Sequence, residues 1–196
     1  MRTFLRLMFT GLMVLAVPVA MPAQNISPER QDFQLTFQST AGRCLALAKA
    51  IPQDKLSWRP MPGVRSFNEV FVHMAGSTLL FCSYLGAKIP EGPAHDLATV
   101  YMKRGFEMPE IFAAEGKFKD SARIVEVMQQ SFDQVPNVIR SLHDDKLDTP
   151  LDFFGSSISH RRLLIMLNEH LGEHLGQAIA YARVNQIVPP WSQPKK

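Results

Sequence analysis

From Ser157 to Gln186 the chain has no proline and carries an apolar stripe at helical spacing: Leu163, Leu167, Leu171, Ala178 and Tyr181. Ser157 or Ser159 supplies an N-cap, and Pro189-Pro190 closes the run. A helix of that length reaches roughly 40 Å and can bury its single apolar face only against other long helices. His170 and His174 stand within the same stripe. Two imidazoles four residues apart lie one turn apart on one face, so both can reach a common point.

Partners for this helix are readable upstream. Ser27-Pro28-Glu29 is a helix start, with Ser as N-cap and Pro at the first helical position, and Pro52 stops that helix near Ile51. Its apolar positions include Phe33, Phe37, Leu45 and Ala48. Pro52 to Arg65 is too rich in Pro and Gly for regular structure, and Trp58 within it is expected to cover one end of the core. Ser66-Phe67-Asn68-Glu69 is a capping box opening a second helix to about Gly86. On its wheel His73 shares a face with Val70, Ser77, Leu80, Phe81 and Tyr84, so His73 points inward.

Ala87 to Asp120 reads as a long crossover with short helical pieces near His95 to Lys103 and Pro109 to Ala114. A third helix is predicted from Asp120 or Ser121 to about His143, kinked at Pro136, with Ile124, Val127, Met128, Phe132, Val135, Ile139 and Leu142 inward. Asp148 to Ser159 reads as a loop. The expected fold class is therefore all-α, with four main helices and a long crossover between the second and third.

Residues 1–23 read separately from residues 24–196, which form the expected single domain. Arg2 and Arg6 precede an apolar run from Leu7 to Val17 and then small residues and prolines, the layout of a secretory signal peptide. The run is short for a membrane span, so no stable membrane anchor is expected, and the protein is expected to be secreted or periplasmic. A retained N-terminal anchor is the alternative. Arg2 and Arg6 supply two of the formal net charge of +3, leaving +1 without them. With no basic stripe interleaved with aromatics, nucleic acid is not an expected partner.

Export makes a disulfide chemically available to Cys44 and Cys82. In antiparallel neighbouring helices the two would sit at opposite ends, which favours two buried free thiols.

His73 alone has an ordinary reading, a core histidine bonded to a carbonyl or to Tyr84. Three inward imidazoles are costlier to satisfy one by one, and a shared divalent ion would satisfy a nitrogen of each at once. His95, His143 and His160 lie in or beside irregular segments and are assigned surface or capping roles. His170-Leu171-Gly172-Glu173-His174 also matches H-x-x-E-H, in which Glu173 would be a general base. Enzymes with that signature take a third ligand from a downstream acid, and Leu175 to Lys196 contains no Asp or Glu. Glu173 falls at the border of the stripe, where it is either a supporting residue behind His174 or simply solvated.

Several stretches together resemble the DinB family, specifically its exported members. They are Trp58-Arg59-Pro60, Pro62-Gly63-Val64-Arg65-Ser66, Glu69-Val70 with His73, Glu173-His174 with Gly176-Gln177, Tyr181 with Arg183, and Ile187-Val188-Pro189-Pro190-Trp191-Ser192. The resemblance runs from about Asp32 to Ser192 and implies a four-helix bundle, often dimeric, holding a metal on three histidines. Carried over, the ligands are His73, His170 and His174, and the ion is zinc, nickel or similar. Gln177, Tyr181 and Ser77 would line the pocket or support the ligands. Ser77 and Cys82 are the nearest candidate nucleophiles, neither with a supporting motif. The resemblance further implies a metal-dependent enzyme acting on a small molecule, by hydrolase-type chemistry or by S-transfer with a low-molecular-weight thiol. A non-catalytic exported bundle that binds a metal or ligand is the alternative.

Overall fold

The computed structural model describes residues 26–103 and 105–194; the signal-like segment 1–23 lies outside them. Helix α1 spans Pro28–Ala50, with the Ser27 side chain accepting from the Arg30 amide, and α2 spans Phe67–Tyr84 behind the complete Ser66/Glu69 capping box. Each such cap stabilises its helix by about 1 kcal/mol. The crossover carries α3 (His95–Tyr101) and α4 (Met108–Glu115).

The predicted third helix is two: α5 (Ser121–Phe132) and α6 (Gln134–Ser141), joined at Asp133. Pro136 has no amide hydrogen for the carbonyl one turn earlier, so the break falls before the proline and not at it. The last carbonyls of α6 are capped from outside, by the buried Arg30 guanidinium donating to Ile139 (3.1 Å) and Leu142 (2.5 Å).

The segment expected as a loop, Asp148 to Ser159, contains a β-hairpin. Strand β1 (Pro150–Phe153) pairs antiparallel with β2 (Ser156–Ser159), in register Pro150 with Ser159 and Phe153 with Ser156. The turn residues Phe154 (φ 52°) and Gly155 (φ 80°) are both in the left-handed region, the pattern of a two-residue I′ hairpin turn. Strand β2 runs straight into α7 (His160–Val184), Ser159 ending the strand and capping the helix through the Arg162 amide.

Helices α1 and α2 each pack against α7 and against α5 and α6, which completes a four-helix bundle. Helix α2 also receives α3 and α4, so its faces are buried almost all round and its wheel shows no solvent side. Trp58 closes one end, edge-on to Tyr181 at 5.4 Å and tilted on Phe67 at 5.9 Å. Cys44 and Cys82 are buried and unbonded. No helix among the described residues is long and apolar enough to cross a membrane.

Candidate metal centre

Helices α2 and α7 are neighbours, and their contact face brings His73 against His170 and His174. Ring centroids lie 5.2 Å (His73 to His170), 4.6 Å (His73 to His174) and 4.5 Å (His170 to His174) apart, all in edge-on contact. One nitrogen from each ring falls within 4.8 Å of the others. His95, His143 and His160 are outside this group; His95 and His160 hold loop carbonyls, those of Pro90 and Thr149.

Hydrogen bonds behind the rings fix which nitrogens remain. The carbonyl of Arg65 can only accept, so Tyr181 Oη donates to it at 3.2 Å. Tyr181 Oη then accepts from Gln177 Nε2 at 2.9 Å, which turns Gln177 Oε1 toward His174 Nδ1, also at 2.9 Å. His174 Nδ1 therefore carries the proton, and Nε2 keeps a free lone pair. On α2, His73 Nδ1 lies 2.9 Å from Glu115 Oε1 and 2.9 Å from Tyr101 Oη. Tyr101 gives its own proton to Glu115 Oε1 in a short bond, so His73 Nδ1–H is a donor to the carboxylate and its Nε2 is again left free. His170 completes the set differently: its Nε2 is buried with no hydrogen-bond partner.

Electrostatics match this donor set. Burial, reinforced by His174, His73 and the charge of Arg65, pushes the His170 pKa down to about 3. Burial likewise lowers that of His174, against the opposing bond to Gln177. Glu115 is completely buried, which raises its pKa, but bonds from His73, Arg65 and Tyr101 outweigh that and hold it below the usual carboxylate range. Two imidazoles held neutral and an unpartnered buried nitrogen, with one nitrogen of each ring within 4.8 Å of the others, are a donor set that fits a divalent ion.

The remaining predicted site residues divide. Gln177 and Tyr181 form the relay behind His174. Ser77 is spent within α2, its Oγ donating to the His73 carbonyl at 2.7 Å. Glu173 is exposed and lies on the solvent side of α7. Cys82 is wholly buried, with its thiol pushed up to about 12 by desolvation, and is no nucleophile. Tyr101 and Glu115 were not anticipated: they lie in the crossover where periodicity is weak, 28 and 42 residues from His73. The one local signal was a glycine. At Gly76 a Cβ would sit 2.3 Å from the Tyr101 ring, so the absent side chain is what admits the tyrosine.

Solved structures with this fold include a DinB-like protein from Bacillus cereus (TM-score 0.63, 17% identity, covering 82% of this chain and 95% of that one). The DinB-like protein YjoA from Bacillus subtilis aligns with TM-score 0.59 and 18% identity over 84% of this chain and 99% of its own. YfiT from Bacillus subtilis, described as a probable metal-dependent hydrolase with an unusual four-helix bundle topology, aligns with TM-score 0.58 and 14% identity over 86% of this chain and 94% of its own. At such identities the likeness is one of fold. No curated protein matches in sequence. The model of the DinB superfamily matches residues 36–178, a span that includes His73, His170, His174 and the relay residue Gln177. With most of the chain inside that match and the bundle arranged as in DinB-like structures, the chain belongs to the DinB superfamily.

Proposed function

We propose that this protein is a metal-dependent enzyme that holds a divalent ion, zinc or nickel, on His73, His170 and His174 and hydrolyses a small molecule. The observation that carries the reading is the convergence of three imidazoles whose Nε2 atoms are left over, one of them buried and partnerless. His73, His170 and His174 would hold the ion through ring nitrogens, and the ion would supply Lewis acidity toward a water or a carbonyl. Glu115 does not act as a base in this scheme, because both its oxygens are occupied by Arg65, His73 and Tyr101; it orients His73. Gln177 does the same for His174. YfiT, of the same fold and described as a probable metal-dependent hydrolase, supports the hydrolytic reading. The signal-like layout of residues 1–23 supports an exported location.

Metal analysis by mass spectrometry on untagged protein, beside a His170→Ala/His174→Ala variant, tests the ion. Stoichiometric metal lost in the variant is the expected result, and no metal after reconstitution overturns the reading. Ester and phosphoester panels with and without an added thiol then test the chemistry. Turnover only with thiol assigns S-transfer instead, and metal without any turnover assigns a binding protein.

A further inference from the structure

A circuit of aromatic rings leaves the histidine cluster on one side and returns to it on the other. From His170 the contacts run to Phe81 (5.8 Å), on to Phe153 (5.6 Å) and to Phe154 (4.7 Å). From His73 they run to Tyr101 (6.2 Å) and Phe106 (6.5 Å), and Phe106 meets Phe154 at 5.8 Å. Three segments distant in sequence thus contribute: α2, the crossover and the hairpin.

Phe154 is the member that core packing does not explain. It is 57% exposed and sits at φ 52°, at a turn position that favours Asn or Asp. A bulky side chain in the left-handed region carries a conformational cost, and such outliers gather at functional sites. Near the rings, Asp152 accepts from the Gly155 amide, Lys103 pairs with Glu110, and Glu115 with Arg65. Phe81 and Tyr101 are buried, so what the circuit offers a ligand is the accessible ring surface of Phe106, Phe153 and Phe154.

We propose that this circuit is the substrate subsite of the metal centre and takes the flat, uncharged, apolar part of a small molecule whose polar atom reaches the ion. The inference rests on the metal reading above. Phe154 and Phe106 would be specificity-determining, and the left-handed turn sets where Phe154 stands beside Phe106.

Cobalt-loaded protein titrated with imidazole and with 4-phenylimidazole, followed by the visible absorption of the ion, tests this directly. Native protein is expected to bind the phenyl compound at least about tenfold more tightly than imidazole, the scale of one or two added ring contacts. Phe106→Ala/Phe154→Ala should reduce that ratio below about threefold while leaving the imidazole affinity unchanged. Phe154→Asn, which gives the turn its favoured Asn-Gly pair, should keep the fold and the cobalt spectrum and lose most of the preference. A ratio near one in native protein, or an unchanged ratio in the variants, overturns the subsite and leaves the metal reading intact. Failure to take up cobalt overturns the metal reading, and the subsite with it.

Discussion

Arg65 grips Glu115 at two points, Nε to Oε2 at 2.7 Å and Nη2 to Oε1 at 3.1 Å, while its own carbonyl accepts the proton of Tyr181. One residue, just before α2, therefore braces His73 through its guanidinium and His174 through its backbone. Arg65→Met leaves the fully buried Glu115 without its cation, and unfolding in urea should show a loss of about 3–5 kcal/mol. Arg65→Lys should recover only part of it, because a lysine cannot make the two-point contact.

Gln177→Leu keeps the helix and removes the acceptor of the His174 Nδ1 proton. Competition against a chelating dye should show metal affinity reduced by about 10- to 100-fold, with little change in the melting temperature of the metal-free protein. An unchanged affinity would show that packing alone orients His174.

Gly76→Ala forces a methyl group to within 2.3–2.5 Å of three Tyr101 ring atoms, and Tyr101 is a core residue 2% exposed. Such overpacking costs about 1–3 kcal/mol. Denaturant titration should find that loss, and Gly76→Ala/Tyr101→Phe should not restore it, since the clash is with the ring and not the hydroxyl.

His170 and His174 both contribute to the acid limb of stability, His170 with its pKa depressed by burial from 6.5 in the unfolded chain to about 3 in the folded one. Between these values the unfolded state binds the extra proton, so the contribution is complete above 6.5 and is lost as pH falls toward the folded value. Urea midpoints of the metal-free protein should fall on acidification, with this group adding at most about 1.4 kcal/mol per pH unit. The lowered pKa of Glu115 adds to the loss in the same direction, below 4.5. A flat profile from about pH 7 to about pH 5 would contradict a neutral buried His170.

Cys44 and Cys82 are buried free thiols, both pushed up to about 12 by desolvation. Native protein should react with neither equivalent of a thiol reagent such as DTNB over minutes, and denatured protein with both.

Helix boundaries were legible because their signals are local. Ser27, Ser66 with Glu69, and Ser159 cap the helices they announce, and Pro52 follows the first helix almost at once. The histidine triad was legible because two members share a helix stripe and the third points inward by its own wheel. Glu115 and Tyr101 were not, since nothing within their short helices marks a residue that serves a histidine two elements away. The hairpin escaped for a different reason: its turn is Phe154-Gly155 where an Asn-Gly or Asp-Gly pair would have announced it, and the serines of β2 read equally well as caps. The break at Asp133 shows the limit of reading a kink from proline alone, because the missing bond belongs to the preceding turn.

The junction at Ser159, where β2 passes into α7 with no residue between, makes chain length behave as a rotation. One residue inserted among Ser156 to Ser159 has two outlets. Either the strand slips and turns its side chains to the opposite face, or α7 turns by about 100° and carries His170 and His174 away from α2. A hairpin on the outside of the bundle is thus the index mark for the phase of its ligand helix, and insertions or deletions there should be tolerated far less well than substitutions.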